Sequence, residues 1–229
     1  MKYTAYIVLL SVLIQGCINK SNKPEFPNAG VITYNIAYPK EITDSPTGSL
    51  MPRELKLIFK DNRTRFSFKG SFNIFSLDFY SPSAKDSCAT LFRFMDNNLL
   101  HIGPISSNFF FFNNGSTPSI TYLKNETKNV AGISCSKAMV QFDKDEPFAI
   151  YYTGDINIDN PNRHTPFKEI PGILMEFHID FNGVRFYFKA CDVDYTIPDN
   201  AAFKIPSGFK RTPEKEIEAL ILTMINNFQ

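Results

Sequence analysis

Ile173-Leu174-Met175-Glu176-Phe177-His178-Ile179-Asp180-Phe181-Asn182-Gly183-Val184-Arg185-Phe186-Tyr187-Phe188-Lys189-Ala190 decides the fold class. Ile173, Met175, Phe177 and Ile179 alternate with Leu174, Glu176 and His178. After Asn182-Gly183, Val184, Phe186, Phe188 and Ala190 alternate with Arg185, Tyr187 and Lys189. A period of two puts each set on one face of a strand. Asn-Gly supplies the positive φ angles of a tight hairpin turn. The stretch predicts an antiparallel hairpin.

Upstream the same signal repeats. Ile32, Tyr34, Ile36 and Tyr38 share one face of a first strand. Leu55, Leu57 and Phe59 alternate with charged residues until Asp61-Asn62-Arg63 turns the chain into a partner strand over 64–69. In 72–80 the apolar phase shifts between Ile74 and Phe75, which predicts a bulge or tight bend. Further strands are expected over 88–95, 99–102, 121–129, 133–142 and 148–153. Phe109-Phe110-Phe111-Phe112 reads as a strand buried on both faces, the alternative being an apolar lip that meets lipid or a partner. The composition of 23 Phe and 10 Tyr with no Trp suits strands.

One helix is expected, over 212–227. Thr212 can cap it, Pro213 fits its first turn, and Ile217, Leu220, Ile221, Met224 and Ile225 form an apolar stripe. Many short strands followed by a single late helix predict a mainly β fold, with a predominantly antiparallel sheet.

The beginning of the chain carries an address. Met1-Lys2 leads into an apolar run from Ala5 to Ile14, the pattern of a secretory signal. The run is well short of the roughly 20 residues that span a bilayer. Ile14-Gln15-Gly16-Cys17 resembles the bacterial lipobox, which implies cleavage before Cys17 and acylation of that cysteine. The expected organisation is a signal peptide over 1–16, a tether over 17–29 and a single β-rich domain over 30–229. Such a protein is lipid-anchored in the cell envelope. Ile18 after Cys17 points to the outer membrane, on its periplasmic or surface face.

Removing residues 1–16 takes Lys2 with it and leaves 23 basic against 23 acidic side chains. A balanced chain without a basic cluster argues against nucleic acid as a partner.

The remaining thiols, Cys88, Cys135 and Cys191, leave room for one internal disulfide or for free, buried cysteines. No C-x-x-C pair suggests zinc. Asp155-Ile156-Asn157-Ile158-Asp159-Asn160 starts like a calcium loop, but the twelfth position, which needs a bidentate Glu, is Pro166. It reads better as an Asx-rich turn. His101, His164 and His178 stand outside any known catalytic motif, and Asp192 and Asp194 read as surface charge. Neither an enzyme nor a cofactor or metal site is expected.

Gly132-Ile133-Ser134-Cys135-Ser136-Lys137-Ala138, then Tyr151-Tyr152-Thr153, then Phe167-Lys168-Glu169-Ile170-Pro171-Gly172-Ile173-Leu174 resemble, in that order, the GLPGLI family of bacterial envelope proteins. The likeness rests on Gly132, Cys135, Lys137, Pro171 and Gly172; Glu169 replaces the first glycine of the naming motif. The resemblance implies a LolA/LolB-like architecture, an incomplete barrel closed by helices over an apolar cavity. It implies binding of a lipid or other apolar ligand and brings no catalytic residues. The alternative is an interaction or structural subunit with a partner protein in the envelope.

Overall fold

The computed structural model describes residues 26–45, 48–82, 87–104, 106–112, 116–143 and 145–226. The signal segment, Cys17 and most of the tether lie outside them. Twelve strands form one open, curved sheet: β1 (Ala29–Ala37), β2 (Glu54–Lys60), β3 (Arg63–Lys69), β4 (Phe75–Ser81), β5 (Ser87–Phe94), β6 (Asn97–Pro104), β7 (Ser119–Val130), β8 (Ile133–Gln141), β9 (Phe148–Thr153), β10 (Ile173–Phe181), β11 (Val184–Asp194) and β12 (Lys210–Arg211). Their order is β12-β6-β5-β4-β3-β2-β1-β11-β10-β9-β8-β7. Neighbours are antiparallel, apart from two-residue β12, which runs parallel to β6. A short α1 (Lys40–Thr43) interrupts the β1–β2 connection, and α2 (Glu214–Asn226) ends the described chain.

The alternation read from the sequence is the alternation of burial. In register across the sheet, Tyr34, Leu55, Phe68, Leu77 and Phe92 all point to the concave side. The β10–β11 hairpin keeps its expected turn, with Asn182 at φ 51° and Gly183 at φ 77°. The phase shift at Ile74–Phe75 marks a tight bend, the second of the two expected forms: a 3-10 turn at Ser71–Asn73 just before β4, and not a bulge within a strand.

The segment after β11 crosses the outer face as a strap. Arg65 donates to the Ala202 carbonyl at 3.1 Å and pairs with Asp78 at 2.9 Å. Phe209 joins Tyr80, Ala89, Leu91 and Leu100 in a small second core beneath the strap. The chain then adds β12 to the β6 edge, and Thr212 N–H bonds the Leu100 carbonyl. From there α2 runs across the concave side to the β10–β11 turn, where Asn182 and Asn226 are 3.2 Å apart. Ile217, Ile221, Met224 and Ile225 are buried, whereas Leu220, expected in the stripe, is exposed. The Thr212 hydroxyl donates back to the Lys210 carbonyl.

Two rims follow from this topology. The lower rim receives the chain at Pro27, whose carbonyl accepts from Asn157, and carries the β2–β3 and β7–β8 turns. The upper rim carries the β1–β2 connection and the β3–β4, β5–β6 and β10–β11 turns.

Candidate functional site

The concave side was the expected ligand chamber, and three pieces of chain fill it. Phe109–Phe112 is buried, as expected, but Phe110–Phe112 forms a 3-10 turn and not a strand. A strand would direct alternate rings to opposite faces; the 3-10 turn spreads all four over the curved sheet. Phe79 lies 4.7 Å from Phe109 and 5.7 Å from Phe112, ring centre to centre. Phe111 is 5.0 Å from each of Phe68, Phe181 and Phe186. The 154–172 connection adds Ile156, Ile158, Phe167 and Ile170, and α2 adds its stripe.

Little space is left. Between the Phe plug and α2 lies an apolar cavity of about 30 Å3, edged by Met51, Phe75, Phe92, Phe111 and Met224. A second, near Tyr34, Phe66 and Phe112, measures about 10 Å3. Volumes of this size hold about one water, and pockets for small ligands run from about 300 to 1,000 Å3.

The plug is fastened by a pair that sequence reasoning missed. Ser81 Oγ lies 2.8 Å from His164 Nε2, and His164 Nδ1 lies 2.8 Å from the Ser107 carbonyl. A carbonyl only accepts, so Nδ1 carries the proton and Nε2 accepts from the Ser81 hydroxyl. Nucleophile, base and orienting acceptor thus stand in hydrolytic order. Yet Ser81 is 4% and His164 3% exposed, and burial lowers the His164 pKa. The His164 ring packs 4.5 Å from Phe109, whose N–H donates to the His164 carbonyl at 3.0 Å. The arrangement pins the plug to β4. Ser81 and His164 are 83 residues apart, and no local pattern announces them.

The residues singled out in the sequence scatter. Cys88 and Cys135 are buried and Cys191 is exposed, all three as free thiols. Burial pushes the Cys135 thiol up to about 11. Lys137 pairs with Glu126 at 2.7 Å, and Gly132 N–H donates to Asn129 in the β7–β8 turn. Gly172 has φ +123°, and a Cβ there would collide with the Thr153 carbonyl oxygen; this geometry explains the Pro171-Gly172 pair without a ligand. Glu176 accepts from Lys128 at 2.8 Å and lies 3.8 Å from Lys189. The His178 ring packs at a tilt 3.8 Å from Phe148, centre to centre, and burial, aided by nearby Arg185, lowers its pKa to about 4. In the calcium-like stretch Ile156 and Ile158 point inward, while Asp159 bonds Asn62. Among the described residues no three His, Cys, Asp or Glu side chains gather as metal ligands.

The outer surface of the upper rim has the opposite character. An open groove of about 280 Å3 is lined by Arg53, Glu54, Lys56, Ser67, Lys69 and Ser71. Phe72, next to Ser71, is 87% exposed, and Met95 in the β5–β6 turn is 72% exposed. The two turns adjoin, since Met95 N–H bonds the Ile74 carbonyl.

No family model matches the chain, and no curated protein matches it.

Proposed function

We propose that the protein is a lipid-anchored, non-enzymatic interaction subunit of the bacterial cell envelope, tethered through Cys17 at the outer membrane. The observation that carries the choice is the filled interior: the concave side holds four phenylalanines and α2 around a space of about 30 Å3. A filled core with its two most exposed large apolar groups, Phe72 and Met95, side by side on one rim is the pattern of a docking scaffold. The open curved sheet with its C-terminal helix is compatible with the LolA/LolB-like architecture and with kinship to the GLPGLI family. In the native host, palmitate labelling that Cys17→Ser abolishes, together with photocrosslinking of the surface to a protein partner, tests both halves of the reading.

One observation favours apolar-ligand binding as the second reading. The seam between α2 and the Phe plug is lined wholly by apolar or sulfur-containing side chains and Pro52, so a ligand that displaced the helix would meet no unpaired polar group. Native mass spectrometry with solvent extraction separates the two readings. A stoichiometric lipid supports the second; a clean ligand-free mass supports the first.

A further inference from the structure

We propose that the basic groove on the outer face of the upper rim, with Phe72 and Met95 beside it, docks an acidic surface of a partner protein. The inference rests on the interaction-subunit reading and gives it a face and a partner chemistry.

Charge is the first argument. Arg53, Lys56 and Lys69 share the groove with one carboxylate, Glu54. Among the described residues none of these three cations has an ion pair, whereas Arg63, Arg65, Lys128, Lys137 and Arg185 each have one. The groove thus keeps a local positive excess on a chain whose formal net charge is only +1. An acidic partner would neutralise that excess and be steered toward it.

Shape and strain are the second. Phe72 has φ 56° and Met95 has φ 51°, the left-handed region in which bulky L-residues are rare. Such turns ordinarily take Gly or Asn. Holding a bulky side chain there is strained, and leaving the apolar groups in water recovers none of that cost. Aromatic side chains that bury on binding are frequent anchors of protein interfaces.

Position selects the partner class. The chain arrives at the lower rim, where Pro27 bonds Asn157, and the rims are separated by seven-residue strands such as β2 and β3. At about 3.3 Å per residue that is roughly 23 Å. A domain tethered from its lower rim turns the groove away from its own membrane, toward soluble or membrane-projecting proteins.

The test uses the full-length, anchored chain in its native host, with photoreactive benzoylphenylalanine at position 72 or 95, and at Ile197 on the strap as a control. The purified chain in detergent is titrated with a hexaglutamate peptide carrying a C-terminal Trp, and with phosphatidylglycerol vesicles. Expected are a discrete protein adduct from positions 72 and 95, and its loss in Arg53→Glu/Lys56→Glu/Lys69→Glu. Peptide affinity should fall about tenfold in that variant, and likewise in the wild type as salt rises from about 0.05 to about 0.5 M. All altered side chains are exposed, so an unchanged thermal midpoint certifies the variant's fold. Adducts from position 197 with none from 72 or 95 overturn the inference and leave the interaction-subunit reading standing. No adduct from any position overturns both. Phe72-dependent vesicle binding without peptide binding overturns the inference in favour of a membrane contact.

Discussion

Phe111→Ala is the sharpest probe of the filled interior. The ring is 4% exposed and contacts Phe68, Phe79, Phe112, Phe181 and Phe186. Removing it forfeits about 2 kcal/mol of transfer free energy, and each 100 Å3 left open adds about 2.4 kcal/mol. The existing void of about 30 Å3 borders Phe111, so the new space would merge with it and not collapse fully. A loss of about 3 to 5 kcal/mol is expected, which in a domain of this size lowers the melting midpoint by roughly 6 to 20 °C. The enlarged cavity is apolar and should admit benzene. At a ligand concentration one hundred times its Kd, benzene would restore about 2.7 kcal/mol in the variant and nothing in the wild type. Urea unfolding with and without benzene measures both quantities. A loss below about 1 kcal/mol, or equal benzene stabilisation of both proteins, would refute the packed plug and revive the open chamber.

Ser81→Ala should cost about 1 to 3 kcal/mol by leaving His164 Nε2 a buried acceptor without a donor, and should speed hydrogen exchange at the Phe109 amide, read by NMR. Gly172→Ala should destabilise by more than about 1 kcal/mol in the same urea assay, because the positive φ and the Thr153 carbonyl both exclude a Cβ. His178 is held at about 4, below its ordinary 6.5, so the unfolded chain takes up a proton first as the medium acidifies. Its contribution is complete above pH 6.5 and is lost as pH falls through about 4. The NMR titration should centre near pH 4, and His178→Leu should flatten the loss of stability across that window. A thiol reagent should modify Cys191 in the native protein at once, and Cys88 and Cys135 only at the rate of unfolding.

The strands were legible because their signal is local. Alternation at period two names the buried face wherever the sheet is covered on one side, and Asp61-Asn62 and Asn182-Gly183 mark their turns by residue type alone. The helix was legible from Pro213 at its start and from its stripe, except at Thr212, whose hydroxyl bonds the Lys210 carbonyl and not the first turn, and at Leu220, whose exposure depends on how far around the helix the sheet reaches. What escaped is what depends on contacts between distant parts of the chain. Four consecutive phenylalanines look alike whether they span a sheet or plug it, because periodicity carries no phase in a uniform run. The two-residue β12 and the strap have no periodicity to read; they are held by Arg65, Arg63 and Phe209 against the outer face. The Ser81–His164 pin joins the end of β4 to the 154–172 connection, which only the curved sheet brings together.

The same limit explains why the interior and the rim exchanged roles. The resemblance to the GLPGLI family implied a chamber, and alternating rings would line one. Curvature alone does not make a chamber; the space must also go unfilled. Here the connections after β6 and after β9 turn inward and spend Phe109–Phe112, Ile156, Ile158 and Phe167 on filling it. That inward folding is fastened at a few paired polar atoms: the Ser107 carbonyl and the Phe109 N–H by His164, the Ile170 and Gly172 carbonyls by Asn162. Among the described residues, the lining of the small cavity beneath α2 carries no polar side chain to recognise a ligand's head. The proposed recognition falls instead to the surface, where among the described residues Arg53, Lys56 and Lys69 lack ion pairs and Phe72 and Met95 are largely exposed. A protein built to hold a lipid would reverse that allocation.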